Sequence, residues 1–402
     1  MKTRVLILTD SPLITSGQGN VHRQIGWQLH NRGYEVISLG WHDDYTDIKV
    51  PWKVYRTDKR FYYGEGLFDG VVENHRPDIV LTIGDTWNYA FVAKSRVRYL
   101  FYWLGYVAID GVAHNSCVPL SWNPILKDMD KMIAYTEYGQ KALEMSIPDE
   151  RGKIPIIPHG VDHNVFHPLG KDKVTELRNR HGIREDYLIY LIVARNQFRK
   201  NIPELFKAWA LFRNKTRYQK TLLWPHMLFN DSAGWNLTEI IDICGIRGSI
   251  VYLEDYATAS SNLDVISEEK LNALYNIADV FVLMSGEGFG LPLLEAMACG
   301  KPVIALNHSA TGELAKGHGE LVRVSGYITG AKSTERPIPD AEDLVRKLEI
   351  MYDQPELREK YSKESLEYAK QFDWNKIGDM WDYEIKKALN PFIDKCNLVR
   401  VS

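Results

Sequence analysis

At 402 residues the chain is too long for one ordinary hydrophobic core, and a prior of roughly 150 residues per domain favours two or three domains, of which two large ones are expected. Hydrophobic residues at 45% and charged residues at 25% exclude extensive disorder, so the chain is expected to fold nearly throughout. With 49 basic and 52 acidic residues the net charge is -3, so no whole-molecule field attracts nucleic acid or anionic lipid, and such a partner would have to meet a local patch.

The opening "MKTRVLILTDSP" has only four apolar residues in a row, too few for a signal-peptide core or a bilayer crossing. The cysteines, Cys117, Cys244, Cys299 and Cys396, lie far apart with no C-x-x-C pair, which reads as free thiols in a reducing cytoplasm. The runs "VLIL" (5–8), "EVISLG" (35–40), "DIVLTIG" (78–84), "RYLFYWL" (98–104), "KMIAYT" (131–136) and "KIPIIP" (153–158) read as strands. Their continuous apolarity predicts a parallel sheet covered on both faces. Between the first two, Val21, Ile25, Gln28, Leu29 and Arg32 keep helical spacing and Gly33 supplies the stop, so this segment is a β-α-β unit. His22 and Arg23, near the start of that helix, face either a cleft or solvent.

The pattern restarts with "YLIYLIVA" (187–194), "TLLW" (221–224), "IVYL" (250–253), "DVFVLM" (279–284), "PVIAL" (302–306) and "ELVRV" (320–324), separated by helix candidates that include 202–215 and 267–277. Two such series predict an α/β protein of two doubly wound, Rossmann-like domains with a cleft between them, joined near "VFHPLGKDK" (165–173). The expected division is 1–168, then 169–374, with a helix at 375–390 that either stays on the second domain or crosses back to join the first, and a tail at 391–402.

The stretch "MSGEGFGLPLLEAMACGKPVIA" (284–305) carries the chemistry. Its glycines lie between a strand's carboxyl end and a helix's amino end, Pro292 suits a first helical turn, and Gly300 closes the helix. Free amides and the helix dipole favour an anion there. Glu287 in the loop and Glu295 about one turn into the helix do not share a helical face. Carboxylates beside an anion site suit sugar hydroxyls, so a nucleotide-sugar fits, with Glu295 on the ribose and Glu287 on the transferred sugar. A surface loop whose acids cap helices is the alternative.

Glu287, Gly288, Phe289, Gly290, Leu291, Pro292, Glu295, Ala296, Gly300, Pro302 and Val303 together resemble the E-x7-E signature of retaining glycosyltransferases of family 4, which have the GT-B fold. "VARNQFRKNIPELFKAW" resembles that family's strand-end arginine and following lysine, here Arg195 and Lys200. "AYTEYGQKAL" and "IPHGVDHNVFHP" resemble its interdomain segments, and "TSGQGNVHRQIGWQLHNRGYEV" its first glycine loop and helix; the resemblance spans residues 4 to 390.

The resemblance implies that Arg195 and Lys200 neutralise the donor diphosphate, so that neither a metal nor another cofactor is needed. "DMD" (128–130) has the letters of a metal site but precedes a strand, so it reads as a helix end. Gly17 and Gly19 correspond to the loop that meets donor phosphates or acceptor, although "GQG" lacks the adjacent glycine pair of relatives. Asp110 matches an aspartate that one subgroup carries where others have a histidine against the donor sugar, and His114 is assigned to the acceptor. Gly288, Phe289, Gly290, Leu291 and Glu295 complete the donor set, and His159 with Gly160 shapes a hinge. The implied reaction is retaining transfer of a sugar from a UDP- or GDP-linked donor to a hydroxyl. An epimerase of the same fold and a silent nucleotide-sugar-binding protein are the alternatives. A glycan or lipid acceptor is preferred over nucleic acid. The basic and aromatic segments 54–66 and 93–103 leave peripheral membrane contact open, and the loop 252–256 would decide the donor base.

Overall fold

The computed structural model describes residues 2–42, 47–57, 62–252 and 266–399. The chain divides into two compact units, one comprising Met1–Gly160 with Trp374–Ser402 and the other Val161–Asp373. Both are Rossmann-like α/β units built on parallel sheets.

In the first unit six strands run β1 (Arg4–Asp10), β2 (Glu35–Trp41), β3 (Lys53–Arg56), β4 (Ile79–Gly84), β5 (Tyr102–Val107) and β6 (Lys131–Ala134). Their order across the sheet is β3-β2-β1-β4-β5-β6 and every pairing is parallel. This is the strand order of a doubly wound dinucleotide-binding sheet, and it gathers the carboxyl ends of β1, β4, β5 and β6 along one edge. Val5, Leu6, Ile7 and Leu8 are fully buried, as continuous apolarity requires of a strand with helices on both faces. The helix Gly17–Asn31 starts because Ser16 accepts a hydrogen bond from the Gly19 amide at 2.9 Å, and it stops before Gly33, whose φ of +90° a larger residue resists.

The helix Trp374–Val399 packs on this first unit. Arg32 binds Asp379 at 2.6 Å and the Asn375 carbonyl at 2.8 Å, Tyr34 donates to Asp382 at 2.8 Å, Lys131 pairs with Glu384, and Trp381 is fully buried. Gly160 seats the Trp374 ring, which a β-carbon there would approach to 2.6 Å.

The second unit has a five-stranded parallel sheet and a separate hairpin. Its strands are β7 (Leu188–Val193), β8 (Thr221–His226), β9 (Val280–Leu283), β10 (Val303–Leu306), β11 (Gly319–Val322), β12 (Val324–Thr329) and β13 (Glu335–Pro339). The sheet order is β11-β10-β9-β7-β8, while β12 and β13 pair antiparallel. The short helix Leu291–Ala298 links β9 to β10 and buries all six residues from Leu293 to Ala298.

Several expectations need correction. "KIPIIP" makes a single bridge, Ile156 to Ala134, because Pro155 and Pro158 bring no amide donors to a ladder. The "RYLFYWL" strand starts only at Tyr102, since Arg98–Leu100 forms a 3-10 turn. "IVYL" reaches the sheet only through an Ile250 to Leu223 bridge, and its last residue lies outside the described residues.

His22 faces neither cleft nor solvent. It is wholly buried, with Nδ1 2.8 Å from the Asp10 carbonyl and Nε2 2.8 Å from Ser38 Oγ, which also accepts from the Trp52 indole at 2.9 Å. A carbonyl only accepts, so Nδ1 carries the proton and Nε2 accepts from the serine hydroxyl. Burial depresses the His22 pKa to about 4, and burial likewise depresses that of His159 to about 3. Each unfolded imidazole takes up its proton near 6.5, so the unfolded state binds more protons below that pH and stability declines as pH falls. The expected loss from His22 alone is about 3 kcal/mol on reaching its folded pKa. Urea unfolding of wild type and His22→Gln across this window should show the steeper decline in wild type; parallel profiles would contradict neutral burial.

Candidate active site

The site is built where β7 and β9 release the chain at neighbouring carboxyl ends. After β7 the chain makes one 3-10 turn, Phe198–Lys200, and passes through Asn201 in the left-handed region (φ 51°, ψ 36°) into the helix Ile202–Arg213. The Asn201 amide donates to the Met284 carbonyl at 2.7 Å and the Pro337 carbonyl at 2.9 Å. One side chain thereby ties the basic turn to the end of β9 and to the hairpin.

Beyond β9, Ser285 to Gly290 form the glycine-rich loop. Gly290 has φ +99°, a conformation L side chains resist, and the helix Leu291–Ala298 follows with Pro292 in its first turn. The Glu287 amide donates to Ser309 Oγ at 3.0 Å, and the Thr311 hydroxyl lies 3.0 Å from the Ser285 carbonyl. The loop is therefore gripped from the start of the helix Ser309–Ala315.

Three charges meet there. Lys200 Nζ donates to Glu287 Oε1, Arg199 Nη1 donates to Oε2 at 2.9 Å, and the Ser285 hydroxyl also donates to Oε1. Lys200 and Glu287 are both buried, at 8% exposure each. Burial alone would raise the Glu287 pKa, but Arg199 and Lys200 together with the lysine and serine hydrogen bonds overcome it and hold the carboxyl well below the usual range. The group is ionised at any physiological pH.

Arg195 is placed differently. Its Nε and Nη2 reach Asp231 at 2.8 and 3.2 Å, Asp231 also accepts the Ala233 amide at 2.9 Å, and more than half of the arginine side chain is exposed. The Arg195 hydrogen bond lowers the Asp231 pKa. Asn196 clasps the same loop through the Trp235 carbonyl at 2.7 Å and amide at 3.1 Å.

Glu295 has a different partner from Glu287. Tyr275 on the helix Glu268–Ile277 donates to its Oε2 at 2.7 Å, and burial raises the Glu295 pKa to about 7 against the opposing effect of that bond. Phe289 is buried with its ring 6.1 Å from Phe372, Gly288 and Leu291 are half-buried, and Gly290 is buried.

In the first unit, Gly17 is exposed at the helix start, while Gly19 is packed: a β-carbon there would lie 2.8 Å from the Ser11 carbonyl, and its amide already serves Ser16. Asp110 is half-buried on the loop after β5, and His114 is exposed in a turn closed by the Ala113 amide on the Cys117 carbonyl at 2.7 Å. Asp128 ends the helix Asn123–Asp128, and it and Asp130 both bind Arg98, at 3.1 and 2.8 Å. Among the described residues no group of three His, Cys, Asp or Glu is placed to hold a metal ion, and no helix is long and apolar enough to cross a membrane.

The structure thus joins Lys200 to Glu287 and keeps Arg195 and Glu295 on other partners. Arg199, Ser285, Ser309, Asp231 and Tyr275 escaped the sequence reading. Arg199 had a signal, a second cation beside Lys200; Asp231 and Tyr275 had none, because their roles arise from distant segments.

Residues 261–368 match the family model described as Glycosyl transferases group 1. The chain is 27% identical over 250 residues to the D-inositol 3-phosphate glycosyltransferase of Paenarthrobacter aurescens, covering 61% of this chain and 54% of that protein. It is 27% identical over 221 residues to the putative glycosyltransferase EpsD of Bacillus subtilis, covering 53% and 50%. The match therefore spans about half the length of these relatives. Among solved structures, sucrose-phosphate synthase from Thermosynechococcus elongatus superposes with a TM-score of 0.71 at 20% identity over 96% of this chain and 99% of that one. HepE of Anabaena, in complex with UDP and glucose, gives 0.71 at 15% identity over 96% and 100%. Residues 261–368 are therefore similar to the glycosyl transferases group 1 family, and the chain has a fold of the GT-B class.

Proposed function

We propose that the protein is a retaining glycosyltransferase that moves a sugar from a UDP- or GDP-linked donor to a hydroxyl of a glycan or lipid. The observation that carries this reading is the meeting of Lys200 and Arg199 on Glu287 beside a glycine-rich loop that opens a helix. Cations and helix-end amides together suit a diphosphate, and an ionised carboxylate beside them suits the hydroxyls of the attached sugar. The bound UDP and glucose of HepE, a protein of the same fold, support the donor class, and the curated relatives' names support sugar transfer.

In this reading Lys200 and Arg195 neutralise the departing diphosphate, the task a divalent ion performs in metal-dependent enzymes, so no metal or other cofactor is required. The diphosphate oxygen then accepts the incoming hydroxyl's proton on the face it leaves, which preserves the anomeric configuration without a protein nucleophile. Glu287 holds the sugar, Gly288, Phe289, Gly290 and Leu291 shape the donor cradle, and Glu295, whose pKa of about 7 lets it donate or accept near neutrality, meets the ribose. Gly17 and Gly19 border the phosphates, Asp110 takes the donor sugar, and His114 meets the acceptor. Catalysis is then chiefly positioning and charge stabilisation.

Lys200→Ala and Glu287→Gln should each lower turnover of UDP-glucose or GDP-mannose by about 100-fold or more while the protein still unfolds cooperatively. Wild-type rates in either folded variant contradict the assignment. Protein treated with EDTA should keep its rate, and the product's anomeric NMR signal should match the donor's configuration. Rescue by magnesium or manganese, or an inverted product, would remove those parts of the reading.

A further inference from the structure

Glu287 has two oxygens, and each is held by a different cation, Oε2 by Arg199 and Oε1 by Lys200, with the Ser285 hydroxyl as a second donor on Oε1. Two cations therefore share the one carboxylate. If only Lys200 faced Glu287, the pair would be neutral, and a ligand phosphate would have to strip the ammonium from a buried carboxylate with no other charge to satisfy it.

Arg199 changes that balance. Its guanidinium also donates to the Gly286 carbonyl at 3.4 Å, so it is anchored to the glycine-rich loop that carries Glu287. The arginine side chain is about one-third exposed, whereas that of Lys200 is one-tenth exposed, so the lysine occupies the more enclosed position. Released from Oε1, Lys200 would leave a carboxylate still paired with Arg199 and hydrogen-bonded by Ser285.

We propose that Arg199 is a positioning residue: it retains Glu287 as a partner and so lets Lys200 turn to a diphosphate, for which the Glu287 carboxylate is the stand-in. This rests on the nucleotide-sugar reading above, and it makes a prediction of the opposite sign to simple ligand loss. Glu287 competes with the diphosphate for Lys200, so the residue needed for transfer weakens binding of the bare anion.

Titration calorimetry of the full chain with inorganic pyrophosphate tests this. Glu287→Gln should bind about tenfold tighter than wild type and Arg199→Ala about tenfold weaker, each change being one unit charge at close range. The double variant Arg199→Ala with Glu287→Gln should return to near the wild-type affinity, a rescue that damage to packing would not give. Arg199→Lys, which keeps the charge, should bind as wild type, and Arg199→Gln carries the comparison should the alanine variant fail to fold. Unchanged affinity in Arg199→Ala, no gain in Glu287→Gln, or no rescue in the double variant overturns the proposal. Lys200→Ala separates this outcome from failure of the wider reading: if that variant binds pyrophosphate as wild type does, the anion site itself is misassigned.

Discussion

The buried carboxylate of Glu287 and the two cations that share it are the constraint on which the rest of this region depends. An isolated ion in an apolar interior is prohibitively costly, so Glu287 and Lys200 are buried only with opposite charges beside them and hydrogen bonds on their remaining valences. Ser285, Arg199 and Lys200 bind the carboxylate itself, and further bonds hold the backbone around it. Ser285 lies in the same loop, Arg199 and Lys200 follow β7, Ser309 begins a helix after β10, and Asn201 pins the basic turn to the end of β9 and to β13. Together these elements hold the carboxylate and its two cations in one place.

Parallel sheets make such convergence cheap. Each strand of a βαβ succession ends at the same edge, so segments far apart in sequence emerge side by side. Lys200 and Glu287 are separated by 87 positions, yet β7 and β9 are adjacent in the sheet. The strands beneath that edge are buried, and turns at Asn201 and Gly290, both at positive φ, lead the chain from strand into helix.

The two glutamates of one short motif end in opposite electrostatic states. Both are buried to a similar degree. Glu287 meets two cations and stays ionised, whereas Glu295 meets a tyrosine hydroxyl and is pushed up to about 7. Burial acts alike on both, and the partner decides the outcome, which is how a single loop can present one permanent anion and one group that changes charge near neutrality.

The sequence by itself determined the architecture, because continuous apolar strands, helical spacing and glycine stops are local signals. The runs at 5–8, 78–84 and 279–284 and the helix stop at Gly33 could be read without any tertiary knowledge. It also determined the glycine-rich loop and its two acids, since strand, loop and helix are contiguous there. Where one residue's hydrogen bonding outweighed its pattern, reading failed: the prolines of "KIPIIP" withhold donors from a strand, and His22, polar in a helix, is buried by a carbonyl and a serine that folding brings to it. Only the tertiary structure decided that Lys200 and Arg199 share Glu287, that Arg195 goes to Asp231, and that Glu295 goes to Tyr275. A charge selects its partner by distance in space, and for residues 20 to 88 positions apart that distance is set by sheet order and register, which no local pattern encodes.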